Sequence, residues 1–187
     1  GRDPSTFPED EKQVGWRDIE STADQVRELE RRCLPINVDV TNREHIQNMV
    51  DRTLQEFGRV DILVNNAAFT RGPDRVPVVD MEDDIFQRVL NIKVMGTYLC
   101  SKAVARELIR QGEGGKIINI SSTAGKRGSA NTSAYNSANF AVNGFTQALA
   151  RELGQYGVNV NSVCPGFVET SRMDGLSRED VTGVAVR

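Results

Sequence analysis

An alternation between two periodicities constrains this chain more than any other feature. Short, almost continuously apolar runs recur along it, and longer stretches with apolar residues three and four apart separate them. "RVDILVNNAA" at 59–68, "KIINISS" at 116–122 and "VNVNSVCPG" at 158–166 have the length and composition of strands. An unbroken apolar run is what a strand covered on both faces requires, and strands separated by helices pair in parallel. The pattern predicts one α/β domain with a parallel sheet, spanning residues 1–187 without repeats or internal linker.

The helical segments carry their own punctuation. A helix is expected at 21–32, with Val26 and Leu29 on one face, followed by a strand at 34–40 that ends on Asp39–Val40. The next helix, 41–58, has Thr41 and Glu44 spaced as a capping box and Gly58 as its stop. Its apolar stripe is Ile46, Met49, Val50 and Leu54. Residues 80–111 read as a long helical region with a break near Asn91, and 133–154 as a helix ended by Gly154.

Composition removes several classes of function. With a net charge of -3, phosphate-rich partners are repelled, so neither nucleic acid nor an anionic membrane is expected. No apolar run reaches the ~18 residues that span a bilayer. The opening GRDPSTFPED lacks the charged-then-apolar pattern of a secretory leader, and a cytoplasmic protein is expected. Cys33, Cys100 and Cys164 are too scattered for a metal site and are expected to be reduced thiols. One histidine, His45, leaves no basis for a Ser-His-Asp hydrolase, and Ser122 lacks the GxSxG elbow.

Five segments then fall into order: Asp39–Val40, "LVNNAA" at 63–68, Asn91, "IINISS" at 117–122 with "YNSAN" at 135–139, and "PGFVET" at 165–170. Ser122 stands thirteen residues before Tyr135. In order and spacing these resemble the short-chain dehydrogenase/reductase family over roughly residues 20–172. The resemblance implies a three-layer, doubly wound parallel sheet of Rossmann type, with a dinucleotide lying across the strand ends. It implies hydride transfer between a nicotinamide and a small-molecule carbonyl or alcohol substrate. Tyr135 would then give or take the proton, Ser122 hydrogen-bond the substrate oxygen, and the carbonyl of Asn91 hold a relay water. Asp39 and Val40 would meet the adenine, Asn66 and Ala67 the ribose, and Pro165, Gly166, Val168 and Thr170 the nicotinamide end. No metal is implied. A homodimer or homotetramer built on the helices at 80–111 and 133–154 is.

Two departures from the family pattern stand out. The family has lysine at position 139, where its charge favours the tyrosinate and its ammonium holds the nicotinamide ribose. Asn139 can hydrogen-bond but brings no charge. A free tyrosine titrates near ~10, so the acid–base contribution of roughly 10²–10⁴-fold is what the change weakens. On this reading Asn139→Lys raises turnover. Lys126, Arg127 and Lys93 are the alternative cations, Lys93 facing elsewhere if its helix is regular. The second departure is the absence of the glycine-rich TGxxxGxG turn that cradles the pyrophosphate. The sheet is therefore expected to be incomplete, beginning after the family's second strand. Arg2 in "GRDP" points to NADP over NAD. Two rival readings arise from the departures, a non-catalytic relative that binds a nucleotide or partner, and a truncated product without function.

Overall fold

The structure, a computed structural model, describes residues 18–69 and 72–168. By their packing the described residues fall into two units, 18–37 with Val168, and Val38–Phe167. In the first, helix α1 (Ile19–Glu28) starts at Asp18, whose carboxylate accepts the Ser21 N–H at 2.9 Å. The Ser21 hydroxyl oxygen in turn accepts the Asp18 N–H at 3.1 Å, closing a capping box. The helix ends short of the expected residue 32 because Glu30 takes a left-handed φ of 58°.

The expected strand at 34–40 does not form; residues 31–39 have no regular structure. A strand exists only where a neighbour accepts its ladder, and among the described residues the sheet has three strands. At the start of the second unit, Asp39 instead makes a turn. Its carboxylate accepts the Thr41 N–H at 2.9 Å and the Thr41 hydroxyl at 2.7 Å. Thr41 is thereby taken out of the predicted capping box. Asn42 caps helix α2 (Arg43–Phe57), accepting the N–H groups of Glu44 and His45 at 2.8 and 3.2 Å. Gly58 ends α2 at φ 82°, as its position predicts.

Strands β1 (Ile62–Asn65), β2 (Gly115–Ile120) and β3 (Val158–Val163) pair in parallel in the order β1-β2-β3. Between β1 and β2 run α3 (Asp83–Leu90), a π-helical turn (Asn91–Met95) and α4 (Gly96–Gln111). Helix α5 (Ser133–Leu153) joins β2 to β3. The break expected near Asn91 is thus one extra residue in a continuous helical path. Helix α5 ends with Gly154 as its cap, as its position predicts, although Gly154 is right-handed; a short 3-10 turn then carries the chain to Gly157, where φ is 70°. That turn needs glycine on its other side too, since a Cβ on Gly114 would lie 2.6 Å from the Gly157 carbonyl oxygen.

One face of the sheet packs Ile117, Val158 and Val160 against Val50 of α2, Val104 and Leu108 of α4, and Leu149 and Leu153 of α5. The other face is open at β1: Ile62 is 56% and Val64 53% exposed, contrary to the expectation of a strand buried on both sides. Among the described residues no strand pairs with the outer edge of β1. Through the buried face runs a polar chain. The Asn65 amide donates to Ser101 Oγ at 2.9 Å and Asn119 Oδ1 at 2.8 Å, and the Asn119 amide donates to Thr146 Oγ1 at 2.9 Å. The Thr146 hydroxyl passes its own proton to the Val142 carbonyl at 2.7 Å. Asn119→Leu keeps the volume but orphans buried groups on both sides, at about 1–3 kcal/mol each. Urea unfolding should show a loss of at least ~2 kcal/mol, against less than ~0.5 kcal/mol for Asn161→Leu on the exposed face.

Candidate active site

The carboxyl ends of the three strands open together. Asn66, Ala67 and Ala68 follow β1 and are exposed. After β2, Ser121 and Ser122 are buried, and a short 3-10 turn (Thr123–Gly125) follows. The loop after β3 is tied to this turn. Val163 O accepts the Ser121 N–H at 2.7 Å, and Pro165 O accepts the Thr123 N–H at 2.9 Å. Ser122 Oγ accepts the Ala124 N–H at 3.1 Å, which orients the side chain and leaves its own proton to donate.

Helix α5 is locked to the same turn. Asn136, 7% exposed, donates to Ala124 O at 2.6 Å and Arg127 O at 2.9 Å. A Cβ on Gly125 would lie 2.8 Å from the Asn139 carbonyl oxygen, so only glycine lets the turn come this close. Tyr135 therefore enters the site on a helix held rigidly against the segment that carries Ser122. The Arg75 guanidinium stacks over its ring, 4.0 Å from the centroid, and makes an ion pair with Asp74 at 3.6 Å.

Asn139 is 1% exposed and satisfied by the protein itself. Its amide donates to Tyr135 O at 2.8 Å, and Ser121 Oγ donates to Asn139 O at 3.1 Å, with Asn139 Oδ1 3.5 Å away. Asn91 opens the π turn, the helix irregularity expected there, and that turn packs against α5. The Asn91 amide oxygen accepts from Gln87 at 2.8 Å on an exposed helix face, and its carbonyl accepts the Gly96 N–H of the π turn. Lys93 faces the strand ends instead, contrary to the expectation from a regular helix. Its ammonium donates to Ile120 O at 2.6 Å and Ala67 O at 3.5 Å, and only 6% of the residue is exposed. Burial lowers its pKa from the usual lysine value. Lys126 and Arg127 are exposed.

Of the remaining expected residues, Asp39 is exposed, with its carboxylate held below the usual range by the Thr41 N–H and hydroxyl. Val40 packs close to Gly96, where an added Cβ would meet Val40 Cγ2 at 2.7 Å. Gly166 and Val168 are exposed, Val168 falling in the first packing unit. Thr170 and Arg2 lie outside the described residues. Sequence reasoning missed Arg75, Ser121 and Asn136, and turned Lys93 away from the site. For Lys93 a signal existed: Val89, Lys93 and Thr97 are spaced by four, which places a lysine on a buried stripe.

A parallel α/β sheet whose strand ends gather a serine, a helix-borne tyrosine and exposed residues after β1 has the Rossmann-type architecture of a dinucleotide-binding oxidoreductase. The chain belongs to the short-chain dehydrogenase/reductase family, whose short chain dehydrogenase model matches residues 14–181. It is 36% identical over 149 residues to a 3-oxoacyl-[acyl-carrier-protein] reductase of Synechocystis sp., covering 80% of this chain and 59% of the relative. NAD+-bound xylitol dehydrogenase superimposes with a TM-score of 0.79 at 35% identity, covering 83% of this chain and 58% of that one. An ElxO variant with NADPH bound gives 0.68 at 30% identity, covering 72% and 53%. The chain thus spans about 60% of the length of the curated relatives it matches. Among the described residues no helix is long and apolar enough to cross a membrane, and no His/Cys/Asp/Glu cluster could hold a metal.

The thiols give a direct check on the packing. Burial pushes the Cys100 thiol up to about 11, whereas Cys33 and Cys164 are partly exposed. Thiolate is the reactive form, so a maleimide at pH 8 should add at Cys33 and Cys164 first. Peptide mass mapping should find Cys100 modified only after unfolding.

Proposed function

We propose that the protein is an NAD(P)-dependent oxidoreductase acting on a small-molecule carbonyl or alcohol, with Tyr135 as proton donor and acceptor. The observation that supports this reading is the attachment of the segment carrying Ser122 to the helix carrying Tyr135, through Asn136 and the close approach at Gly125. The residues present fit the nicotinamide half of such a cofactor. Residues 66–68 are exposed at the end of β1, and a buried ammonium without a carboxylate partner among the described residues adjoins them. When bound, the cofactor supplies or takes the hydride.

The chain's own residues do the rest. Ser122, oriented by the Ala124 N–H, donates a hydrogen bond to the substrate oxygen and fixes where that oxygen sits, keeping its own proton. Tyr135 gives its phenolic proton to the same oxygen in reduction and accepts it back in oxidation. Asn66, Ala67, Pro165 and Gly166 line the ribose and nicotinamide side, with Val168 and Thr170 on the segment beyond. Asp39 and Val40 serve the adenine side. NADP is the preferred cofactor on the strength of Arg2. Association into a dimer or tetramer would use α4 and α5, on which Ile109 and Phe140 are exposed.

Fluorescence titration of the full chain with NADH and NADPH, followed by a panel of ketones and aldehydes, tests the reading. Reduced cofactor should bind, and at least one carbonyl should be reduced. Tyr135→Phe should lower turnover by roughly 10²-fold or more with cofactor affinity unchanged. Cofactor binding with no reduction across the panel would favour a non-catalytic nucleotide-binding relative. No binding of either cofactor would overturn the reading.

A further inference from the structure

We infer that Lys93 is the cation of this active site, its ammonium holding a nicotinamide-ribose hydroxyl in place of a charged residue at position 139. The inference rests on the nicotinamide reading proposed above.

Three features of the structure converge on it. The first is energetic. Lys93 sits on the Val89–Lys93–Thr97 stripe, where leucine or methionine would pack without desolvating a charge. It has no carboxylate partner among the described residues, and burial is the sole cause of its lowered pKa. A buried ammonium left without a counter-charge is a poor structural device. It is a good one for a ligand rich in oxygen.

The second feature is placement. Ile120 is the last residue of β2, and Ala67 lies two residues beyond the end of β1. By donating to both carbonyls, Lys93 spans the ends of two adjacent parallel strands, the place where such sheets bind nucleotides. Those bonds use two of its three donors and leave the third for a ligand oxygen. The π turn makes this possible. An extra residue rotates the later turns of the helix by about 100° relative to the earlier ones, and such bulges recur at functional sites.

The third feature is complementarity with Asn139. Lys93 holds Ile120 O, and the next residue, Ser121, donates to Asn139. The two side chains thus flank one dipeptide at the end of β2. Asn139 uses neutral groups only, and a lysine there would bring a second ammonium toward the first. This reverses the expectation that Asn139→Lys alone raises turnover. The rival cations are otherwise engaged or exposed. Arg75 pairs with the buried Asp74, while Lys126 and Arg127 are exposed.

The test is the affinity of the full chain for NADH and NADPH, measured by fluorescence, together with the melting temperature of each variant. Lys93→Met should weaken binding of the preferred cofactor at least about tenfold, the scale of one charge-assisted hydrogen bond, with melting temperature unchanged or raised. The double variant Lys93→Asn with Asn139→Lys moves the cation to the other flank of Ile120–Ser121 and should recover most of the affinity. Unchanged binding in Lys93→Met overturns the inference while leaving the cofactor reading intact. A melting temperature that falls with the affinity marks a structural lysine and also overturns it. Failure of the parent to bind either cofactor overturns both.

Discussion

The hydrogen bond from the Asn65 amide to Asn119 Oδ1 is the interaction on which the rest of the site depends. It joins two buried side chains on paired residues of neighbouring strands, in a face otherwise made of Ile117, Val158 and Val160. A polar group that deep must be matched, and only one register and one pair of flanking helices match it. Ser101 of α4 closes the network on one side and Thr146 of α5 on the other. The two helices that bracket the site are thereby indexed to the strands within the tolerance of a hydrogen bond.

The candidate site residues are indexed by it, one to three residues downstream of Asn119. Asn119 is followed by Ile120, whose carbonyl receives Lys93, then by Ser121, which reaches Asn139, and by Ser122. Thr146 fixes the helix on which Tyr135 rides eleven residues earlier. Gly125 and Asn136 then press the start of α5 onto the loop after β2. Ser122 and Tyr135 therefore depend little on flexible segments, as preorganised chemistry requires.

The fold was legible where a local signal and a tertiary demand agreed. The apolar runs at 62–65, 115–120 and 158–163 became strands, and the stripe from Ala134 to Leu153 became α5, because packing rewards what the periodicity proposes. Residues 34–40 had the signal but, among the described residues, no strand to pair with, and propensity alone cannot build a ladder. Thr41 fitted a capping box on spacing, but Asp39 claimed its hydroxyl and Asn42 took the cap. Ser122 and Tyr135 were legible as candidates from their spacing, and the structure ties the segments that carry them through Asn136 and Gly125. Lys93 was misplaced because it was placed relative to Asn91, two residues before it, and not on the Val89–Lys93–Thr97 stripe that buries it. Asn139 was legible as a missing charge, but its partners Tyr135 O and Ser121 Oγ depend on a backbone approach set by Gly125.

The most direct measurement is a crystal structure of the protein with reduced nicotinamide cofactor bound, read at one atom, Lys93 Nζ. The expected result is Nζ within about 2.7–3.2 Å of a nicotinamide-ribose hydroxyl, still braced on Ile120 O, with Asn139 turned back onto Tyr135 O. The contradicting result is a ribose held by a rotated Asn139 side chain while Lys93 touches only protein carbonyls.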